Sequence, residues 1–157
     1  MFARKFIDHV DTHADHLCEE FMQKIKRSDK CKELLQKVPA EEQQQSTRRI
    51  YGHLTDWLLT NTDSVTEKEY VSLGMRRAQQ GVPLSDLFWA VCATREYFWE
   101  YTERETLLDE PADFWGGIRL LHSLDQFFDR ALYFVIIGYQ TAAKEELGRA
   151  AATVARK

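Results

Sequence analysis

The sequence is poor in turn formers: only seven of its 157 residues are glycine and three are proline. That scarcity excludes a linker-rich or disordered chain and leaves long helices as the expected building blocks. Cysteine is scarcer still. Cys18, Cys31 and Cys92 are odd in number, widely separated and free of any C-x-x-C spacing, which excludes a disulfide framework or a zinc knuckle and fits a reducing cytosol. There is no excess of positive charge: 21 Lys and Arg face 25 Asp and Glu, a net charge of −4, so no broad positive field awaits a phosphate backbone and nucleic acid is not an expected partner. Long apolar runs are missing too. The longest, Ala131 to Gly138, is far below the roughly 18 residues of a membrane span, and the amino-terminal MFARKFIDHVDTHADHLCEE has no signal-peptide apolar region. The expectation is a cytoplasmic chain with no membrane partner.

What is present is core material. Hydrophobic residues make up 44% and aromatics 12%, and the length suits one domain with a sizeable core. Phe2, Phe6, Val10, Leu17, Phe21 and Ile25 recur at helical spacing and predict a first helix over 2–26. Ser28-Asp29 restarts the chain into a short helix holding Leu34 and Leu35, and Pro39 opens another that runs to about Leu59. Thr60 to Val65 reads as a connection. Thr66 with Glu69 has the form of a capping box for a helix ending at Gln80. Gly81 then stands where a left-handed cap is wanted, and Pro83 fits the first turn of the next helix, which the stripe Leu84, Leu87, Phe88, Val91 and Phe98 carries to about Leu108. Asp109-Glu110-Pro111 breaks the chain once more. The last helix is apolar on most sides, with a seam of Phe114, Ile118, Leu121, Phe128, Leu132, Val135, Tyr139 and Ala142, and it ends in TAAKEELGRAAATVARK, where Leu147, Ala150, Ala151 and Val154 form a thin stripe. The whole reads as an all-α, single-domain helical bundle with a long C-terminal helix.

Several constellations bear on function. His9, His13, His16 and Glu20 share one side of the first helix, but His9 and Glu20 lie ~16 Å apart along it at 1.5 Å per residue, so one ion cannot take all four. His9, His13 and His16 are candidate metal ligands only if another helix contributes; the alternative is a polar surface row. His53 or His122 could serve as an axial haem ligand, although no C-x-x-C-H attachment site exists and a packing role suits both. Arg95 intrudes on an apolar helix face near Trp99, and Asp125 interrupts the seam of the last helix. The pair reads either as a structural ion pair or, with Trp99, as part of a ligand-sensing pocket. No nucleophile-base arrangement or Gly-rich phosphate loop is placed for catalysis, and the chain is not expected to be an enzyme or to carry a cofactor.

Two stretches, RRAQQGVPLSDLFWAVCATREYFWE and FFDRALYFVIIGYQ, carry a resemblance. The pattern R-A-x-x-G-V-P-L-x-x-L-x-x-A over Arg77 to Ala90, the Trp99-Glu100 pair and Phe128 to Ala131 leading to Gly138-Tyr139 resemble the N-terminal domains of RsbT co-antagonist proteins, bacterial stressosome sensors. The similarity covers the chain from Tyr70 onward; residues 1–60 share only helical character. It implies a sensory module related in style to non-haem globins, which forms a homodimer and signals through its C-terminal helix into an output domain such as STAS, a kinase or a transcriptional regulator. On that reading residues 1–142 form the sensor domain and 143–157 the connecting helix. Phe128, Leu132, Val135, Tyr139, Leu147 and Val154 are its expected dimer and signal contacts, and Gly81 with Pro83 its structural turn. A helical binding protein for haem or a small apolar ligand is the alternative.

Overall fold

The computed structural model describes residues 2–60, 64–105 and 111–157. It is all-α. The elements are α1 (Phe2–Thr12), α2 (Ala14–Lys26), a 3-10 turn (Asp29–Cys31), α3 (Lys32–Lys37), α4 (Ala40–Thr60), α5 (Ser64–Gln79), α6 (Leu84–Arg104) and α7 (Pro111–Ala155), with no strand among the described residues.

The expected first helix is two. His13 leaves helical geometry, with φ −112° and ψ 18°, and its Nδ1–H donates to the His9 carbonyl oxygen at 2.9 Å. A side chain that competes for a ladder carbonyl bends a helix locally. The apolar stripe survives the bend, since Phe6 and Val10 on one side and Leu17, Phe21 and Ile25 on the other are all buried. The capping box at Thr66 is not used: α5 starts at Ser64, and Thr66 is buried inside its first turn. Of the connection expected at Thr60 to Val65, Thr60 ends α4 and Ser64 starts α5, while residues 61–63 lie outside the described residues, as do Asp109 and Glu110 of the expected break before α7.

The core is an aromatic pile. Phe98 meets Tyr51 and Phe6 edge-on, with ring centroids 5.1 and 6.0 Å away, and Phe127 meets Tyr70 in the same way at 6.0 Å. Edge-to-face pairs of this kind add about 0.5–1.5 kcal/mol each beyond the area they bury. The other helices that supply these rings are 11 to 21 residues long, whereas α7 runs unbroken for 45 residues.

Two glycines set the spacing of α5 and α7. A Cβ on Gly74 would fall 2.0 Å from the carbonyl oxygen of Val135, and one on Gly138 would fall 2.0 Å from that of Val71. The helices therefore touch backbone to backbone, each offering its glycine to the other's carbonyl. No other residue type fits at either place.

The Gly81 turn is a complete Schellman cap. Gly81 has φ +74°, its N–H donates to Ala78 O and the Val82 N–H donates to Arg77 O, and the Val82 side chain is fully buried beneath it. These are the two bonds that satisfy the end of a helix closed by a left-handed residue. Pro83 caps α6 in turn, its carbonyl accepting from Asp86 and Leu87. The turn is tied to the rest of the fold by its carbonyls, since Gly81 O accepts from Lys37 Nζ at 2.8 Å and Val82 O from the Tyr139 hydroxyl at 2.7 Å. Tyr139, rather than the half-exposed Phe88, links this turn to α7.

Candidate functional site

Arg95, Trp99 and Asp125 do come together, in a shallow open depression between α6 and α7 that Glu96, Glu100 and Glu103 also line. The expected Arg95–Asp125 pair is not formed. Asp125 accepts the Trp99 indole N–H at 3.0 Å, while Arg95 reaches Asp129, one turn further, at 3.3 Å. With 35% and 69% of their side chains exposed, Arg95 and Asp129 form a surface ion pair of small energetic weight. A partly exposed position for Arg95 lowers the cost that made a buried charge informative.

Among the described residues the buried charge is Arg77 instead, 4% exposed. One guanidinium nitrogen donates to Glu42 Oε1 at 2.6 Å and to Gln80 Oε1 at 2.8 Å, and the other to Ser46 Oγ at 2.9 Å. Gln80 closes the ring by donating to both Glu42 oxygens. Burial pushes the Glu42 carboxyl up, but the hydrogen bond and charge of Arg77, with Gln80 and Arg76, outweigh it and hold the group below its usual range. Burial also lowers Arg77 against the support of Glu42. A charge pair of this sort fixes α4 to the end of α5. Composition and periodicity missed it, because Arg77 lies in the polar last turn of its helix; it is nonetheless the arginine of the R-A-x-x-G-V-P-L pattern.

Three residues of that pattern meet at a half-open apolar pocket. Arg77, Leu87 and Ala90 line an apolar space of about 80 Å³ together with Phe21, Ile25 and Leu73. Val82, which follows the capping glycine, is fully buried.

The histidines are dispersed by their partners. His9 Nδ1 lies 3.0 Å from the Tyr101 hydroxyl and its ring stacks on that of His13, while His16 is exposed. Glu20 is engaged elsewhere: it takes both Arg104 nitrogens at 2.6 and 3.1 Å and the Tyr97 hydroxyl at 2.8 Å. The Arg104 hydrogen bond is the main reason its carboxyl sits below the ordinary range. Among the described residues no group of three or more His, Cys, Asp or Glu is placed to hold a metal ion. His53 faces Tyr70 across 3.4 Å beside a space of about 30 Å³, and His122 is on the surface, so neither stands over a cavity of porphyrin size. The thiols are held protonated by burial, Cys31 being pushed up to about 11.

The expected dimer seam divides into two faces. Phe128 and Val135 are inside the chain, and Leu132 and Tyr139 are partly covered by it, so this half of the seam belongs to the intramolecular core. The opposite side of α7 carries Tyr133, Leu147 and Val154, which are 60%, 71% and 74% exposed. With Ile136, Gln140, Ala143 and Ala150 between them, these residues keep an unbroken three-four alternation. From Lys144 onward every residue is exposed.

A profile of the RsbT co-antagonist protein rsbRD N-terminal domain matches residues 15–154. The chain belongs to that family. The match begins in α2, so the likeness that the sequence motifs carried only from Tyr70 onward extends over almost the whole fold. No curated protein and no solved structure matches the chain. The family is one of regulatory signalling domains rather than a known enzyme family, and the rsbRD N-terminal domain is of the stressosome type. None of the described helices is long and apolar enough to cross a membrane.

Proposed function

We infer that this domain is the sensory and dimerising part of a cytoplasmic stressosome-type regulator, and that α7 is both its dimer contact and its output rod. Residues 1–142 form the sensor, and 143–157 connect it to an output domain such as STAS, a kinase or a transcriptional regulator. The observation that carries this reading is the outward heptad of α7, Tyr133, Ile136, Gln140, Ala143, Leu147, Ala150 and Val154, which the chain leaves largely uncovered. A stripe repeating at three and four residues is the pattern by which two helices bury each other in a left-handed coil. Two copies in parallel register would bring both C-termini to one end, where a rotation or slide of the paired rods reaches whatever follows.

The sensor is joined to the rod through α5. Gly74 and Gly138 hold α5 and α7 in backbone contact, and Tyr139 on the rod holds the Gly81 turn by Val82 O. A shift of α5 cannot be absorbed by intervening side chains, since between the glycines there are none.

Sedimentation across a concentration series tests the reading. The full chain of residues 1–157 is expected to dimerise, and truncation after Gln140 to weaken association strongly. A chain that stays monomeric at high concentration, or a truncation that leaves association unchanged, sinks it.

A further inference from the structure

We propose that the half-open apolar pocket lined by α2, α3, α4, α5 and α6 is a binding site for a small neutral molecule of about three to five heavy atoms, apolar except for at most one hydrogen-bond donor. The site deepens the sensory reading above by naming where and what the domain would sense. The size follows from the volume. An apolar cavity of about 150 Å³ accepts benzene or xenon and otherwise stays dry; the space here is about 80 Å³.

The chemistry follows from the walls. Phe21, Ile25, Leu34, Leu87 and Val91 make them apolar. Three of the polar groups that line the space have already spent their protons, the Thr47 and Thr94 hydroxyls donating to Gln43 O and Ala90 O and the Gln43 amide to Val38 O, while a fourth, Ser46, accepts from Arg77. They leave oxygen lone pairs. Arg77, also on the wall, is neutralised by Glu42 and further bound by Gln80 and Ser46, so a carboxylate or phosphate finds no free positive charge there. An anion is excluded by its desolvation cost, and a neutral guest with one O–H or N–H meets an acceptor.

The position links the site to α7. Ile50, Leu73, Val91 and Thr94 line this space on one side and a smaller one, about 20 Å³, on the other. The far wall of the second space is Phe127, Phe128, Ala131 and Val135 of α7. One layer of side chains therefore separates a guest from the rod. Leu73 belongs to that layer and immediately precedes Gly74, the residue whose missing side chain lets α5 touch Val135.

Xenon titration of the full chain, followed by methyl NMR shifts, tests the proposal. Saturable shifts are expected at Ile50, Leu73, Leu87 and Val91. Ala90→Leu, which places a larger side chain in the space, should abolish saturation. Thr94→Val, equal in size but without the hydroxyl, should retain it. Shifts that stay linear in xenon, or that saturate unchanged in Ala90→Leu, overturn the site. A second measurement needs no substitution: n-butanol, which fits the same volume, must compete with xenon at those methyls, and additive, independent shifts overturn it equally. The two readings separate cleanly. Saturation in a chain that remains monomeric keeps the site and removes the signalling role, while a dimer whose methyls never saturate does the reverse.

Discussion

The two ends of α7 form one continuous helix in two different environments. Between Phe127 and Ala142 its inner face is sealed: Phe127 and Leu124 just before it have no exposed surface, Val135 has 1%, and Gly138 lies against the α5 backbone. From Lys144 to Ala155 every residue is exposed, and Leu147 and Val154 are more than two-thirds exposed. The first stretch is helical because tertiary packing requires it, and it tolerates Val, Ile, Phe and Gly, all poor helix formers. The second is rich in alanine, glutamate and arginine, the residues that favour a helix without neighbours. The comparison separates two sources of helix stability within one element, and substitutions can be placed to act on one and spare the other.

The largest effect belongs to the sealed stretch. Gly138→Val puts a Cβ 2.0 Å from the Val71 carbonyl oxygen, which is backbone and cannot rotate away, so α5 and α7 must move apart along their whole contact. Overpacking of this severity is expected to cost about 3 kcal/mol or more, read as a large drop in the thermal midpoint. A variant that keeps its midpoint would show that the two helices are not in backbone contact.

Next in size is the charge pair that anchors α5 from its other side. Glu42→Gln leaves Arg77 charged, 4% exposed and without a counter-ion. Removing one partner of a buried pair is expensive, and since Glu42 itself keeps some contact with water, about 2–3 kcal/mol is expected. The pH dependence has a definite sign. The Glu42 carboxyl is held below its usual range in the fold, so its contribution is complete above about pH 5 and is lost as pH falls through the depressed folded value. Denaturant melts of parent and variant should therefore differ most near neutrality and converge in acid. A constant difference across that window would remove Glu42 from the account.

How much of this was legible in the residues depends on what each signal measures. The Schellman turn was readable because Gly81 and Pro83 act locally, through φ and a missing N–H, and local rules need no partner. The helix stripes were readable for the same reason. The break at His13 was not, because it depends on where an imidazole points, and the start of α5 at Ser64 was not, because a threonine with a glutamate three residues on can serve a cap or simply lie inside the first turn. Arg95 and Arg77 show the limit most plainly. Periodicity singled out Arg95 on an apolar face and gave no signal at Arg77, yet Arg77 is the buried one, since burial is decided by which helix lies across from a residue. The seam of α7 failed halfway for a related reason: a helix apolar on two sides has two candidate interfaces, and only the position of α5, fixed by a pair of glycines, tells which one the chain uses itself.

The smallest effect should come from the open stretch, and its smallness is the test. Leu147→Ser with Val154→Ser removes two large apolar side chains that are 71% and 74% exposed. Below the concentration at which copies associate, the thermal midpoint should move by no more than about 0.5 kcal/mol in stability, since exposed substitutions away from packing and caps rarely do more. Above that concentration the parent should gain stability by mass action and the variant should not. The sealed stretch predicts the opposite pattern, a cost that is the same at every concentration. A double variant that is destabilised even when dilute would mean that the tail folds back onto its own chain, and the contrast between the two ends of α7 would then be lost.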